Sequence, residues 1–364
     1  MPELWTVMHR VKGGLRRGEA LGAGHLDAAL GVLDASAPAA PPVSDAASER
    51  ARVDLARVLG ETGIDAVEQV RRADGRPVLV PYRMALAADR LATAGIEGRE
   101  TIAKALHGAT PTMAAYLVMM LATGRGPEAV AALGEAVGPH ARDSSWLHRH
   151  LGVLNGVPGP ATFLDDDGAG LRLRQLSDTT CGPTCAIVLR VLLDPAYALW
   201  LTTGDHLEPE RSGDGLPFEQ RFRSQQQAVH DAVTRRALGP APWPKALGSP
   251  PWALAGFLNR FTGLTGGHFG WVPVDSDNPV HLGRCLAAVL RGVEAGVPVP
   301  VYIGRHVDRH VVLAVGARPD AVVVYDPAAG AIVEVPLSDW AAGQVGIAGW
   351  DHLESVVVPK LLSF

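Results

Sequence analysis

Apolar positions recur at helical spacing through the first part of the chain and in short β-branched runs near its end. Val53, Ala56 and Leu59 or Gly60 share one face, and Ser44 or Ser48 ahead of them can cap the helix start. Similar stretches over 64–73, 81–94, 101–106, 112–122 and 127–137 predict further helices, punctuated by Gly and Pro. No convincing fixed-period repeat runs through them. The stretch 152–167 is rich in turn residues and acid, and we take it as a domain boundary. Beyond it the pattern predicts a short strand over 170–173, a helix over 183–193 and a long middle region with helix signals. Residues 299–303, 310–315, 321–325 and 332–335 are four β-branched runs separated by turn residues, which predict strands of one antiparallel sheet. The fold class is therefore α+β: a mostly helical N-terminal domain over 1–155 and a helix-then-sheet domain over 156–364. The Pro/Ala/Ser-rich segment 35–47 reads as a linker.

Composition narrows the function classes. The 364 residues are 47% hydrophobic, enough to bury a sizeable core, and carry a net charge of −5. That balance argues against a general nucleic-acid or membrane-surface binder, which needs a concentrated basic face. The abundance of Arg, Ala, Gly and Pro suggests the coding bias of a GC-rich bacterium. Three cysteines do not make a disulfide framework in a chain this long, and they fit a reducing compartment. Arg10, Lys12, Arg16 and Arg17 are basic, but neither an apolar run nor a signal-cleavage pattern follows. The longest apolar stretch, 113–122, is about half of the ~20 residues that span a bilayer. The expectation is a cytoplasmic protein without a membrane span, with export by a route that reads no such signal left open.

The most informative segment is QLSDTTCGPTCAIVLRVLL, residues 175–193. Pro183 suits the first turn of a helix, and an apolar run follows it, so Cys181 sits where a buried helix begins. A sulfur there faces unpaired backbone N–H groups and the positive end of the helix dipole, a setting that favours the thiolate. Gln175 lies on the approach to this helix. Its side-chain amide can donate to an oxyanion forming near the sulfur, beside the Cys181 N–H. A nucleophilic thiol needs a base, and the base needs an orienting group. His310 opens a strand that turns at 316–320 and returns to Asp326. A hairpin of that length brings Asp326 within reach of one ring nitrogen of His310 and leaves the other for Cys181.

Gln, then Cys-Gly heading a hydrophobic helix, then His-Val-Val-Leu, then a strand ending in Asp-Pro resembles the bacterial C39-like branch of the papain-like cysteine peptidases. The resemblance covers residues 171–358. It implies a papain-like fold with a helix lobe and a sheet lobe, and an active site in the cleft between them. It makes Cys181 the nucleophile, His310 the general base, Asp326 the orienting group and Gln175 an oxyanion donor. It implies a peptide or protein substrate and no metal or organic cofactor. The chain departs from the best-known members, which carry membrane-spanning and ATP-binding domains. No phosphate-binding loop motif stands here, and the insert over 200–299 matches nothing in that branch.

The same acyl chemistry also serves deamidation, transglutamination or acyl transfer, and a third class is an inactive papain-like binding module. The N-terminal helices can act as a blocking pro-segment, a partner-docking domain or a secretion-targeting unit. Among the rivals, Cys185 falls one turn after Cys181 and reads as core, as does Cys285. His306 reads as a solvated loop residue, and His268 is a weak cleft candidate. His306, Asp308 and His310 with a cysteine lack a recognised structural-zinc spacing. Asp178 stays unassigned, between capping the helix and facing the cleft. Trp243, Trp252 and Trp271 more often mark core packing than a groove. The run Asp165 to Asp167 reads as a solvated loop.

Overall fold

A computed structural model describes residues 43–72, 74–154, 157–164, 170–207, 215–305 and 308–364. The linker expected over 35–47 lies outside the described residues as far as residue 42. The acidic run 165–167 and His306 lie outside them altogether.

The Ser44 hydroxyl accepts the Ala47 N–H at 3.2 Å and starts helix α1 (Asp45–Leu59). Ala47, Ala51, Leu55 and Leu59 form its buried face, one residue per turn. There follow α2 (Ile64–Glu68), α3 (Pro81–Thr93), α4 (Gly95–Leu106), α5 (Pro111–Ala122), α6 (Pro127–Val137) and α7 (Ser144–Gly152). Proline opens α3, α5 and α6, where its missing N–H breaks no helical bond. α5 is buried on every side from Thr112 to Ala122, so its lack of a polar face reflects a place at the centre of the helical layer. Two boundaries differ from expectation. α2 stops at Glu68, because the chain beyond it folds into a loop closed by a bridge between Arg71 and Pro77. α4 begins at Gly95, where two glycines hide the helical pattern; Gly98 is there to let Pro127 approach.

The chain continues through β1 (Gly159–Pro160), β2 (Thr162–Leu164) and β3 (Gly170–Arg172) to α8 (Cys181–Leu193) and α9 (Pro195–Thr203). The middle region holds α10 (Phe218–Thr234), α11 (Pro251–Leu258), α12 (Thr262–Thr265), β4 (His268–Pro273) and α13 (Pro279–Glu294). It ends in β5 (Val299–Gly304), β6 (Asp308–Ala317), β7 (Ala321–Asp326), β8 (Ala331–Pro336), α14 (Leu337–Ala341) and β9 (His352–Lys360). The architecture is α+β. β2 and β3 pair separately, and seven strands form one antiparallel sheet in the order β1-β8-β7-β6-β5-β9-β4.

Four of those strands correspond to the β-branched runs. β4 and β9 add the far edge. β4 escapes the pattern because a glycine interrupts it and a proline ends it, and an edge strand tolerates proline. A Cβ on Gly267, just before β4, would run into the Lys360 carbonyl, so only glycine allows this close approach.

The sheet is covered on both faces, which explains its nearly continuous apolar strands. Val311, Leu313, Val315, Val323 and Tyr325 join one cluster with α5 and α8. Val312, Ala314, Val322 and Val324 join a second cluster with Leu282, Cys285 and Val289 of α13. The first cluster runs without a break from Val43 through α5 and α8 to Val357. The helices before residue 155 are thus packed into the same core as those after it. Arg83 of α3 donates to the carbonyl of Leu193, the last residue of α8, at 3.3 Å and to that of Leu264. Among the described residues no single helix is long and apolar enough to cross a membrane.

Candidate active site

α8 starts at Cys181 itself, ahead of the expected Pro183. No side chain caps it, and Pro183 contributes no N–H, so the first turn presents backbone N–H groups of Cys181 and Gly182. Every α8 residue except Arg190 is buried. One turn below the nucleophile candidate, the Cys185 thiol donates to the Val311 carbonyl at 3.4 Å. That contact seats the head of the helix against β6, beside His310.

The β6–β7 hairpin pairs Leu313 with Tyr325, and its open end brings Asp326 to His310. His310 Nε2 lies 2.7 Å from Asp326 Oδ1. The Cys181 thiol lies close enough to the same ring to raise its pKa. With Nε2 engaged by the carboxylate, Nδ1 is the nitrogen left for sulfur. Cys181, His310 and Asp326 therefore meet, although 145 positions separate the first from the last in the chain (326 − 181).

Burial pulls the His310 pKa down, but the hydrogen bonds with Asp326 and Cys181 and their negative charges outweigh it and raise it to about 9. Burial pushes the Asp326 carboxyl up. The bonds from His310, Ala328 and Ala329 more than offset that, leaving it below the usual carboxylate range. Because the folded His310 holds its proton more tightly than an ordinary imidazole, it adds stability that is complete below about pH 6.5. That stability is lost as pH rises through about 9. Urea unfolding across that window is expected to show a falling stability. Asp326→Asn, which removes the first of the groups that raise His310, is expected to shrink the fall.

Gln175 is tied to the same place by its backbone: its N–H donates to the Pro327 carbonyl at 2.8 Å. Its side-chain Oε1 is buried without a hydrogen-bond partner. A half-turn of the carboxamide would put the NH2 donor there instead. No hydrogen bond joins Gln175 to Cys181 in the structure.

Two residues escaped the sequence reasoning. Gln226 of α10 is fully buried. Its Oε1 accepts from Leu176 N–H at 2.6 Å and from the Thr184 hydroxyl at 3.0 Å, and its Nε2 donates to the Arg174 carbonyl at 3.1 Å. It clamps the Gln175 segment to α8. Its signal was a glutamine on the apolar face that Phe218, Phe222, Val229 and Val233 define. Ser249 is the second. A Cβ on Gly182 would lie 3.0 Å from Ser249 Cβ, and Ser249 Oγ is buried without a partner. The segment before α11 thus lies directly over the start of α8. Nothing in the pattern of residues 244–250 announces this.

The other candidates are placed as follows. Cys185 is fully buried and its thiol is pushed well up by burial. Burial likewise pushes Cys285 up to about 12. Its neighbour His281 takes the Asp275 N–H on Nδ1 and so directs Nε2–H at the sulfur, 3.8 Å away, as a donor rather than a base. His268 is exposed at the start of β4, and Asp178 is exposed in the turn before α8. Asp308 accepts from Ser355 at 3.2 Å. Trp243, Trp252 and Trp271 are half-buried and pack in series, the first pair edge-to-face and the second tilted, with ring centroids 5.5 and 5.3 Å apart.

No protein-family model matches the chain, and neither a curated protein nor a solved structure matches it.

Proposed function

We propose that the protein is a cysteine hydrolase that cleaves a peptide or amide bond, in the manner of the C39-like papain-like peptidases its motifs resemble. The observation that carries this reading is a thiol at the start of a buried helix, close enough to an imidazole to raise its pKa, with Nε2 of that ring 2.7 Å from a carboxylate. His310 takes the Cys181 proton and Asp326 holds the resulting imidazolium. The thiolate adds to the carbonyl carbon. The oxyanion that forms is met by the free N–H groups at the head of α8 and by the Gln175 amide. The imidazolium returns its proton to the leaving amine as the C–N bond breaks. His310 then deprotonates water to hydrolyse the thioester. If an amine replaces water, the same thioester gives transfer; if the substrate is a side-chain amide, it gives deamidation.

One observation favours a second reading, a papain-like scaffold that binds without turnover. Cys181, His310 and Asp326 are only 4%, 5% and 4% exposed, so a substrate reaches the sulfur only if the residues covering it move aside. A peptidyl epoxide incubated with the folded chain separates the two. The hydrolase reading expects one adduct, mapped by mass spectrometry to Cys181 and absent from His310→Ala. Labelling at Cys181 no faster than at Cys285 would sink it.

A further inference from the structure

We infer that the cavity between the helical layer and β6, lined by Arg72, Arg76 and Arg83, binds a phosphate-sized dianion, free or as the phosphate group of a small metabolite. The cavity holds about 210 Å³, and Met119, Leu192 and Gly316 complete the walls that matter here. It lies apart from the triad and does not depend on the hydrolase reading.

The guanidinium groups around it are under-satisfied. Arg83 is 2% exposed. Its two terminal nitrogens serve the Leu193 and Leu264 carbonyls, but Nε has no partner. Arg72 Nη1 is buried and unpartnered, and Nη2 reaches only the Met119 sulfur at 4.0 Å. Among the described residues neither arginine has an ion pair. Arg76 differs, since Asp74 pairs with it. Glu294 is at the rim and exposed, where water screens it.

A role as cap for the C-terminus of α8 explains the Nη groups of Arg83. It leaves Arg83 Nε and the whole of Arg72 without a purpose. Burying a charge is costly, and burial pulls Arg83 down to about 10 and Arg76 below its ordinary value, although Tyr82 and Asp194 oppose the first shift and Asp74 the second. Asp74 pairs with Arg76, and Asp194, the buried carboxylate that also acts on Arg83, pairs with Arg125 and Arg190, so among the described residues Arg72 and Arg83 are two cations without an ion pair of their own. That matches a phosphate dianion better than a carboxylate. Planar guanidinium forks suit phosphate oxygens in geometry as well.

The test is thermal unfolding of the full chain while inorganic phosphate replaces chloride at constant ionic strength. A saturable rise in Tm is expected, absent with acetate. Arg72→Gln should weaken the apparent phosphate affinity by about tenfold or more. Phosphorus NMR line broadening on the unaltered chain gives a reading that needs no variant. A larger rise with glycerol phosphate assigns the site to a metabolite, and a larger rise with phosphate assigns it to the free ion. No saturable rise and no broadening with the unaltered chain, an equal rise with acetate, or a folded Arg72→Gln that responds unchanged would each overturn the inference.

Discussion

Cys181→Ala and His310→Ala are each expected to lower turnover of an activated aryl ester by on the order of ten-thousand-fold or more, and the double variant by no more than either alone. The reason is that, on the proposed mechanism, sulfur and imidazole act as one unit. Without the thiol the imidazole has nothing to deprotonate, and without the imidazole the thiol loses its proton acceptor and the later proton donor. Asp326→Asn is expected to cost less than either. It leaves the nucleophile and base in place and removes only the charge that orients His310 and stabilises its cation. Steady-state hydrolysis, with circular dichroism to confirm folding, reads all four proteins. Losses that simply multiply in the double variant would mean that the two side chains do not work together.

Gln226→Ala is expected to destabilise the fold by about 2–4 kcal/mol. The loss combines a small cavity with three groups deprived of a partner: Leu176 N–H, the Thr184 hydroxyl and the Arg174 carbonyl. Thr184 retains the Thr180 carbonyl at 2.7 Å, which keeps the figure from rising further. Gln226→Glu is the discriminating companion. It can still accept from Leu176 and Thr184, but it has no N–H for Arg174 and places a charge in a fully buried site, so it should be no better than alanine. Urea unfolding with an unchanged m-value measures both. Because the clamp holds the Gln175 segment, turnover should fall beyond what the unfolded fraction explains. A surface-like change within about 0.5 kcal/mol would show that the clamp does not hold the segment.

The helices and the strands of the central hairpins were legible because their signals are local. Ser44 ahead of an apolar repeat, proline at the first turn of α3, α5 and α6, and β-branched runs ending in Asp326 each declare an element within a few residues. The meeting of His310 and Asp326 was readable for the same reason, since a single hairpin joins them. Elements with broken patterns were not. α4 begins on glycines, and β4 contains glycine and proline, so each exists only because a neighbour packs against it.

Residue order alone thus determined an α+β chain, a cysteine at the head of a buried helix and an imidazole within hairpin reach of a carboxylate. Tertiary structure alone decided the rest: the Gln226 clamp, Ser249 over Gly182, the arginines around one cavity, and a first half that shares its core with the second. Each of these joins segments distant along the chain. Their pairing is set by which apolar faces can be buried together, and local spacing carries no record of that choice.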